Sequence, residues 1–145
     1  MTQPDPAIAG SFNAPAAGYD ALMGRYLPTL APAFADAAGI GPDQTVLDVG
    51  AGPGGLTTEL VARTGAGNVT AIDPSEPFVQ ACRDRHPGVD VRLGVAEHLP
   101  FGDGSFDAAL SCLVVGFMTD PAAGMAEMTR QDRAASNDPS PNGRC

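Results

Sequence analysis

Val46 to Gly55 reads VLDVGAGPGG: three aliphatic residues and one acid leading into a glycine-rich turn. Val46, Leu47 and Val49 suit a short buried strand that ends at Gly50. Gly50-Ala51-Gly52 then permits a tight turn that brings backbone close to a ligand, and the helix expected from about Gly55 to Thr64 points its N-terminus at the same space. Gly50, Gly52 and Gly55 satisfy the G-x-G-x-x-G spacing of dinucleotide enzymes, a weak signal by itself because glycine turns after strands are common.

The segments beyond it repeat the same grammar. Val69 to Ile72 is apolar and strand-like, and Pro74 to Arg85 reads as a helix with Ser75 able to cap its start and His86-Pro87-Gly88 ending it. His86 itself is expected to cap that helix electrostatically. Val89, Val91 and Leu93 alternate as a third strand, Phe106 to Val115 forms a fourth running into a loop, and Pro121 to Arg130 a further helix with Met125 and Met128 inward. Short strands alternating with helices imply an α/β fold: a Rossmann-like parallel sheet with flanking helices. Upstream, Tyr19 to Phe34 carries apolar residues at helical spacing, interrupted by Pro28 and Pro32, which predicts two short pieces.

Two acids sharpen the reading of the glycine loop. Asp73 follows the second strand about 20 residues beyond the loop, where a carboxylate can hold two ribose hydroxyls. Asp73 also suits a turn before Pro74. Asp48 lies inside the first strand, two residues before Gly50. A carboxylate there repels a pyrophosphate but favours the sulfonium and ammonium of S-adenosylmethionine, so that cofactor is preferred over NAD. Hydrogen bonds that Asp48 accepts from loop amides would shape the turn as well.

With these residues in place a resemblance can be named. VLDVGAGPGG, AIDPSEPFV and AEHLPFGDGSFDAALS resemble, in order and spacing, the class I S-adenosylmethionine-dependent methyltransferases, in particular the type 11 methyltransferase domain, over roughly Gly18 to Arg130. The resemblance implies a cofactor site made of Asp48, Gly50, Ala51, Gly52, Asp73, Pro74, Ala96, Glu97 and Ser111. The glycine loop would take the methionine part, Asp73 the ribose, Val95-Ala96-Glu97 the adenine, and Ser111 to Phe117 would face cofactor and acceptor. Two positions depart from the family: Val95 stands where an adenine-binding Asp is usual, and Gly116 where a His is frequent. The implied reaction is an in-line methyl transfer in which the protein supplies alignment and desolvation. No catalytic residue follows from the sequence.

The remaining composition sets limits. Net charge is −9, and all 8 basic residues are arginines without a clustered stripe. Nucleic-acid binding needs grouped cations, so neither nucleic acid nor an anionic membrane is an expected partner, and a small-molecule acceptor is. Cys82, Cys112 and Cys145 are too few and too irregular for a disulfide framework or a metal site, and the absence of a leader-like N-terminus suggests a cytoplasmic protein. Cys112, Met125 and Met128 read as core filling, and His98 as a surface residue. Residues 1–17 are expected to be flexible, 18–130 to form the methyltransferase domain and 131–145, without a Val, Ile, Leu, Met, Phe or Tyr, a disordered tail. Relatives continue with a fifth strand and two more. A sheet lacking these last three strands would leave Ala108 to Val114 as an exposed edge, open to self-association, and suggests a truncated reading frame. Two other functions stay open: an NAD(P)-binding oxidoreductase domain, and a non-catalytic fragment that associates through that edge.

Overall fold

A computed structural model describes residues 26–112 and 119–132. The expectations for residues 1–17, Tyr19, Val114, Gly116, Phe117 and the tail from Arg133 onward lie outside them. In chain order the elements are α1 (Leu27–Ala37), β1 (Val46–Val49), α2 (Gly55–Thr64), a short 3-10 turn (Ala66–Asn68), β2 (Val69–Asp73), α3 (Glu76–Arg85), β3 (Asp90–Leu93), β4 (Ala108–Leu110) and α4 (Pro121–Gln131). The four strands form one parallel sheet in the order β3-β2-β1-β4. The chain therefore winds outward from β1 in one direction and then returns to its other side, so the strand order reverses between β1 and β4. In open parallel sheets, ligands sit at the carboxyl ends of the strands beside such a reversal.

Strand alternation decides what covers each face. Val46, Val69, Ala108 and Leu110 pack with Ala31 and Ala35 of α1 and Leu56 and Leu60 of α2, while Ala71 and Val91 meet Val79 and Cys82 of α3. On the opposite face Leu47, Val49, Ile72 and Ala109 pack with Phe106, Leu99 and Met128, with Met125 partly buried beside them. The inward methionines of α4 are thus core filling, as expected. The parallel α/β architecture read from the sequence is the observed one.

Several local expectations change. Pro32 does not split α1, which is one helix from Leu27 to Ala37, while the part of the expected two pieces before Tyr26 lies outside the described residues. Pro28 sits in the first turn, where its missing N–H has no intrahelical partner. Pro32 costs one internal hydrogen bond, offset by burial of Ala31 and Ala35 and by Arg63 of α2. The Arg63 guanidinium donates to the Pro32 carbonyl at 3.1 Å and pairs with Asp36 at 2.7 Å. Ser75 occupies the N-cap of α3, but its side chain makes no capping bond. The fourth strand is shorter than expected, from Ala108 to Leu110. Asp107 fixes its start: its carboxylate accepts from the Thr45 backbone N–H at 2.9 Å, tying β4 to the start of β1.

The tail boundary at residue 131 is also displaced. Gln131 ends α4 fully buried, with its amide Nε2 donating to the Phe101 carbonyl at 2.9 Å, and Asp132 is 2% exposed. The Phe106 N–H donates to the Gln131 carbonyl at 3.1 Å, and Phe106 and Asp132 form a parallel bridge. At Phe106, then, the chain leaving α4 already lies alongside the approach to β4, so that edge is not open along its whole length. Among the described residues no helix is long and apolar enough to cross a membrane.

Candidate functional site

The residues singled out in the sequence converge on the carboxyl ends of the strands. After β1 the chain turns through Gly50, Gly52 and Gly54, all with positive φ (70°, 58° and 103°), a region that non-glycine residues seldom enter. The Gly50 and Ala51 amides both donate to the Ile72 carbonyl at 2.7 and 3.1 Å, which locks the loop to the end of β2.

Asp73, at the end of β2, is the organising acid. One carboxylate oxygen, Oδ2, accepts from the Gly52 N–H at 2.9 Å, and the other, Oδ1, accepts from the Ser75 N–H at 2.8 Å. The side chain expected to hold ribose hydroxyls therefore also shapes the glycine loop, a role that the sequence reading assigned to Asp48. Burial pushes its carboxyl up, while the two amide donors pull the other way. Each oxygen has bound one donor, so each retains capacity for a ligand hydroxyl.

Asp48 faces away from the loop amides. It is 1% exposed, and its Oδ2 accepts from the Thr57 hydroxyl of α2 at 2.7 Å. Burial pushes the carboxyl up to about 7; the Thr57 bond opposes that rise and the nearby Asp73 adds to it. Among the described residues neither Asp48 nor Asp73 has an ion-pair partner. Two buried acids without a cation between them are stabilised by a positive charge brought near them.

After β3, Gly94 donates to the Asp73 carbonyl at 3.0 Å; a Cβ there would stand 2.6 Å from Ile72 Cδ1 and would push that side chain aside. Ala96 is buried, whereas Val95 is 44% exposed and bridges to the exposed His98. Glu97 accepts from the Asp120 N–H at 3.3 Å, linking this loop to the start of α4. Ser111, directly after β4, is 9% exposed, and its Oγ has no hydrogen-bond partner among the described residues. A buried hydroxyl left unsatisfied at the strand-order reversal suits a site completed by a polar ligand. Pro74 lies beside Asp73 at the same edge, where the chain leaves β2 for α3. Half-buried Cys112 packs against the core, and burial pushes its thiol up, as expected of a non-nucleophile.

Four supporting residues were not legible beforehand. Thr57 is the partner of Asp48, and Thr58 and His86 meet behind the loop. His86 is buried, and burial lowers its proton affinity, so it is a neutral packing group rather than the electrostatic cap expected. Arg130 of α4 clamps the segment after β3, donating to the Leu99 and Phe101 carbonyls at 3.1 and 2.8 Å and pairing with Glu127 and Asp103, each at 2.8 Å. Replacing Arg130 with alanine should lower stability by about 1–3 kcal/mol, and lysine should not restore it because one ammonium cannot span these acceptors. Urea unfolding midpoints of the two variants measure this; an Arg130→Lys chain as stable as wild type would refute the clamp.

A glycine turn after the first strand of a parallel sheet, an acid closing the second, and a reversal of strand order between β1 and β4 define a Rossmann-like nucleoside-binding domain. Within that class, residues 47–133 match the type 11 family model, a methyltransferase domain. The chain belongs to this methyltransferase family, and the class implies S-adenosylmethionine as its cofactor. It is 39% identical over 95 residues to demethylmenaquinone methyltransferase of Renibacterium salmoninarum, covering 66% of this chain and 39% of that one. It is 35% identical over 132 residues to a ubiquinone/menaquinone biosynthesis C-methyltransferase of Cupriavidus metallidurans, covering 85% and 54%. Among solved structures it is similar to the [4+2]-cyclase SpnF, with a TM-score of 0.64 and 27% identity over 70% of this chain and 39% of that one. The chain thus spans about a quarter to about half of the length of the curated relatives it matches, and one fold neighbour carries the name of a different reaction.

Proposed function

We propose that the chain binds S-adenosylmethionine at the carboxyl ends of β1, β2, β3 and β4 and serves methyl transfer to a small-molecule acceptor. The observation that carries this reading is the pair of buried acids, Asp48 and Asp73, without a cationic partner among the described residues, around a glycine loop. Such a site disfavours the pyrophosphate of NAD(P) and favours a cationic nucleoside. When bound, S-adenosylmethionine supplies a methyl group activated by the sulfonium. Asp73 accepts the ribose hydroxyls while holding Gly52 in place, and Gly50, Ala51 and Gly52 present backbone to the methionine portion. Ala96 and Glu97 flank the adenine, Ser111 offers its unsatisfied hydroxyl, and Asp48 supplies negative potential beneath the loop. Alignment and desolvation are worth on the order of 7–11 kcal/mol in positioned bimolecular reactions, so a dedicated base is not required. Two relatives are named for quinone-pathway methylation, which makes an electron-rich ring a sensible first acceptor to screen.

Calorimetric titration tests the cofactor reading. Saturable heat is expected with S-adenosylmethionine and none with NAD; saturation by NAD alone would replace this reading with the oxidoreductase one.

A further inference from the structure

The last turn of α3 reaches the back of the glycine loop with two groups that ligand binding leaves unused. Arg85 Nη1 donates to the Pro53 carbonyl at 3.3 Å. The imidazole of His86 lies under Gly54, where an added Cβ would stand 2.5 Å from its Cε1 and 2.9 Å from its Nδ1. Its Nδ1 is 3.1 Å from the Cys82 carbonyl, and its Nε2 is 2.7 Å from Thr58 Oγ1. A carbonyl only accepts, so Nδ1 carries the proton; Nε2 of the neutral ring is then an acceptor, and the Thr58 hydroxyl donates to it. That hydroxyl also lies 3.0 Å from the Gly54 carbonyl. It has one proton to give, and the Gly54 carbonyl is already served by the Thr58 N–H at 3.0 Å.

The neighbouring residue, Thr57, is held from the other direction by Asp48 at 2.7 Å and lies 3.8 Å from the buried Cys82 Sγ. The first turn of α2 is thus pinned twice, through Thr57 to β1 and through Thr58 to α3. That turn follows directly on Gly52 and Gly54, so its placement sets where the loop amides point.

We propose that His86 is a positioning residue for cofactor binding: by accepting from Thr58 and filling the space under Gly54, it holds the glycine loop in the shape that receives the S-adenosyl group. The proposal rests on the cofactor reading above, and it places His86 behind the loop rather than in contact with ligand.

Calorimetry with S-adenosylhomocysteine as probe tests it on wild type, His86→Leu, His86→Gln, Thr58→Val and the His86→Leu/Thr58→Val double variant. His86→Leu should weaken binding by about tenfold, the worth of one buried hydrogen bond. His86→Gln, whose amide oxygen can accept from Thr58, should stay within about threefold of wild type. Thr58→Val, which keeps volume and carries the same test should His86→Leu not fold, should match the leucine variant. The double variant should be no weaker than either single one, because both remove the same bond. Without ligand, the amide resonances of Gly52, Gly54 and Gly55 should move in His86→Leu and return towards wild type in His86→Gln. Leucine and glutamine variants that bind equally, or additive losses in the double variant, would overturn the proposal. A wild-type chain that binds no S-adenosylhomocysteine overturns the cofactor reading and this proposal together; a wild type that binds beside an equally competent His86→Leu overturns this proposal alone.

Discussion

Replacing Asp73 with alanine is expected to weaken S-adenosylmethionine binding by at least about 100-fold and to destabilise the ligand-free chain as well. The two effects have separate causes. Hydrogen bonds from a ligand to a charged acceptor contribute about 1.5–3 kcal/mol each, so losing the hold on even one ribose hydroxyl accounts for about tenfold or more, and two for 100-fold. In the ligand-free chain the same carboxylate satisfies the N–H groups of Gly52 at 2.9 Å and Ser75 at 2.8 Å. Alanine strands both donors in a buried site, at a cost of about 1–3 kcal/mol each. Asp73→Asn keeps one acceptor oxygen but turns an NH2 towards one of the two donors, and so should fall between alanine and wild type in both measurements. Titration calorimetry and urea unfolding on the three chains give the two numbers. Binding by Asp73→Ala within tenfold of wild type would remove Asp73 from the ligand site.

The backbone of the fold was legible because each strand is short, apolar and followed by a turn or a helix pattern. Val46 to Asp73 is the clearest case: the strand, loop, helix and second strand all fall where the residues put them. What stayed hidden depended on partners distant in sequence. Nothing local tells that Asp73 rather than Asp48 would hold a loop amide, because both acids lie on one face of the sheet; Asp48 shares that face with Val46 and Ala71 and meets Thr57 of α2 there. Parity counted from Val46 could have found Thr57. His86 looked like a helix end because it is one; that its ring turns inward beneath a glycine 32 residues earlier is a tertiary fact. Gln131 was misjudged for a related reason. A tail poor in apolar residues has no burial of its own to offer, yet its first residue is buried through a hydrogen bond from its amide to Phe101. The placement of the candidate residues was the more readable part, since Gly50, Gly52, Asp73, Ala96 and Ser111 all end or follow strands, and a parallel sheet carries the ends of its strands to one edge.

Asp48→Asn should stabilise the ligand-free chain at neutral pH and, in the same chain, blunt its preference for a cationic ligand. Burial lifts the Asp48 carboxyl from 3.8 to about 7. Between those values the folded chain retains a proton that the unfolded chain has released, so this group makes stability fall as pH rises from about 4 to 7. Over that interval the contribution is on the order of 4 kcal/mol, at 1.36 kcal/mol per pH unit. Asparagine has no such proton to lose while its side-chain oxygen still accepts from Thr57. The thermal midpoint of Asp48→Asn should therefore lie near that of wild type at pH 4 and progressively above it towards pH 7.5. A cationic ligand favours the ionised carboxylate and recovers part of what burial cost. Wild type should accordingly bind S-adenosylmethionine better, relative to S-adenosylhomocysteine, which lacks the sulfonium charge, as pH rises through 7, and Asp48→Asn should show a ratio independent of pH. A wild-type ratio that stays flat across this range would mean that Asp48 serves the structure of the loop and not the charge of the ligand.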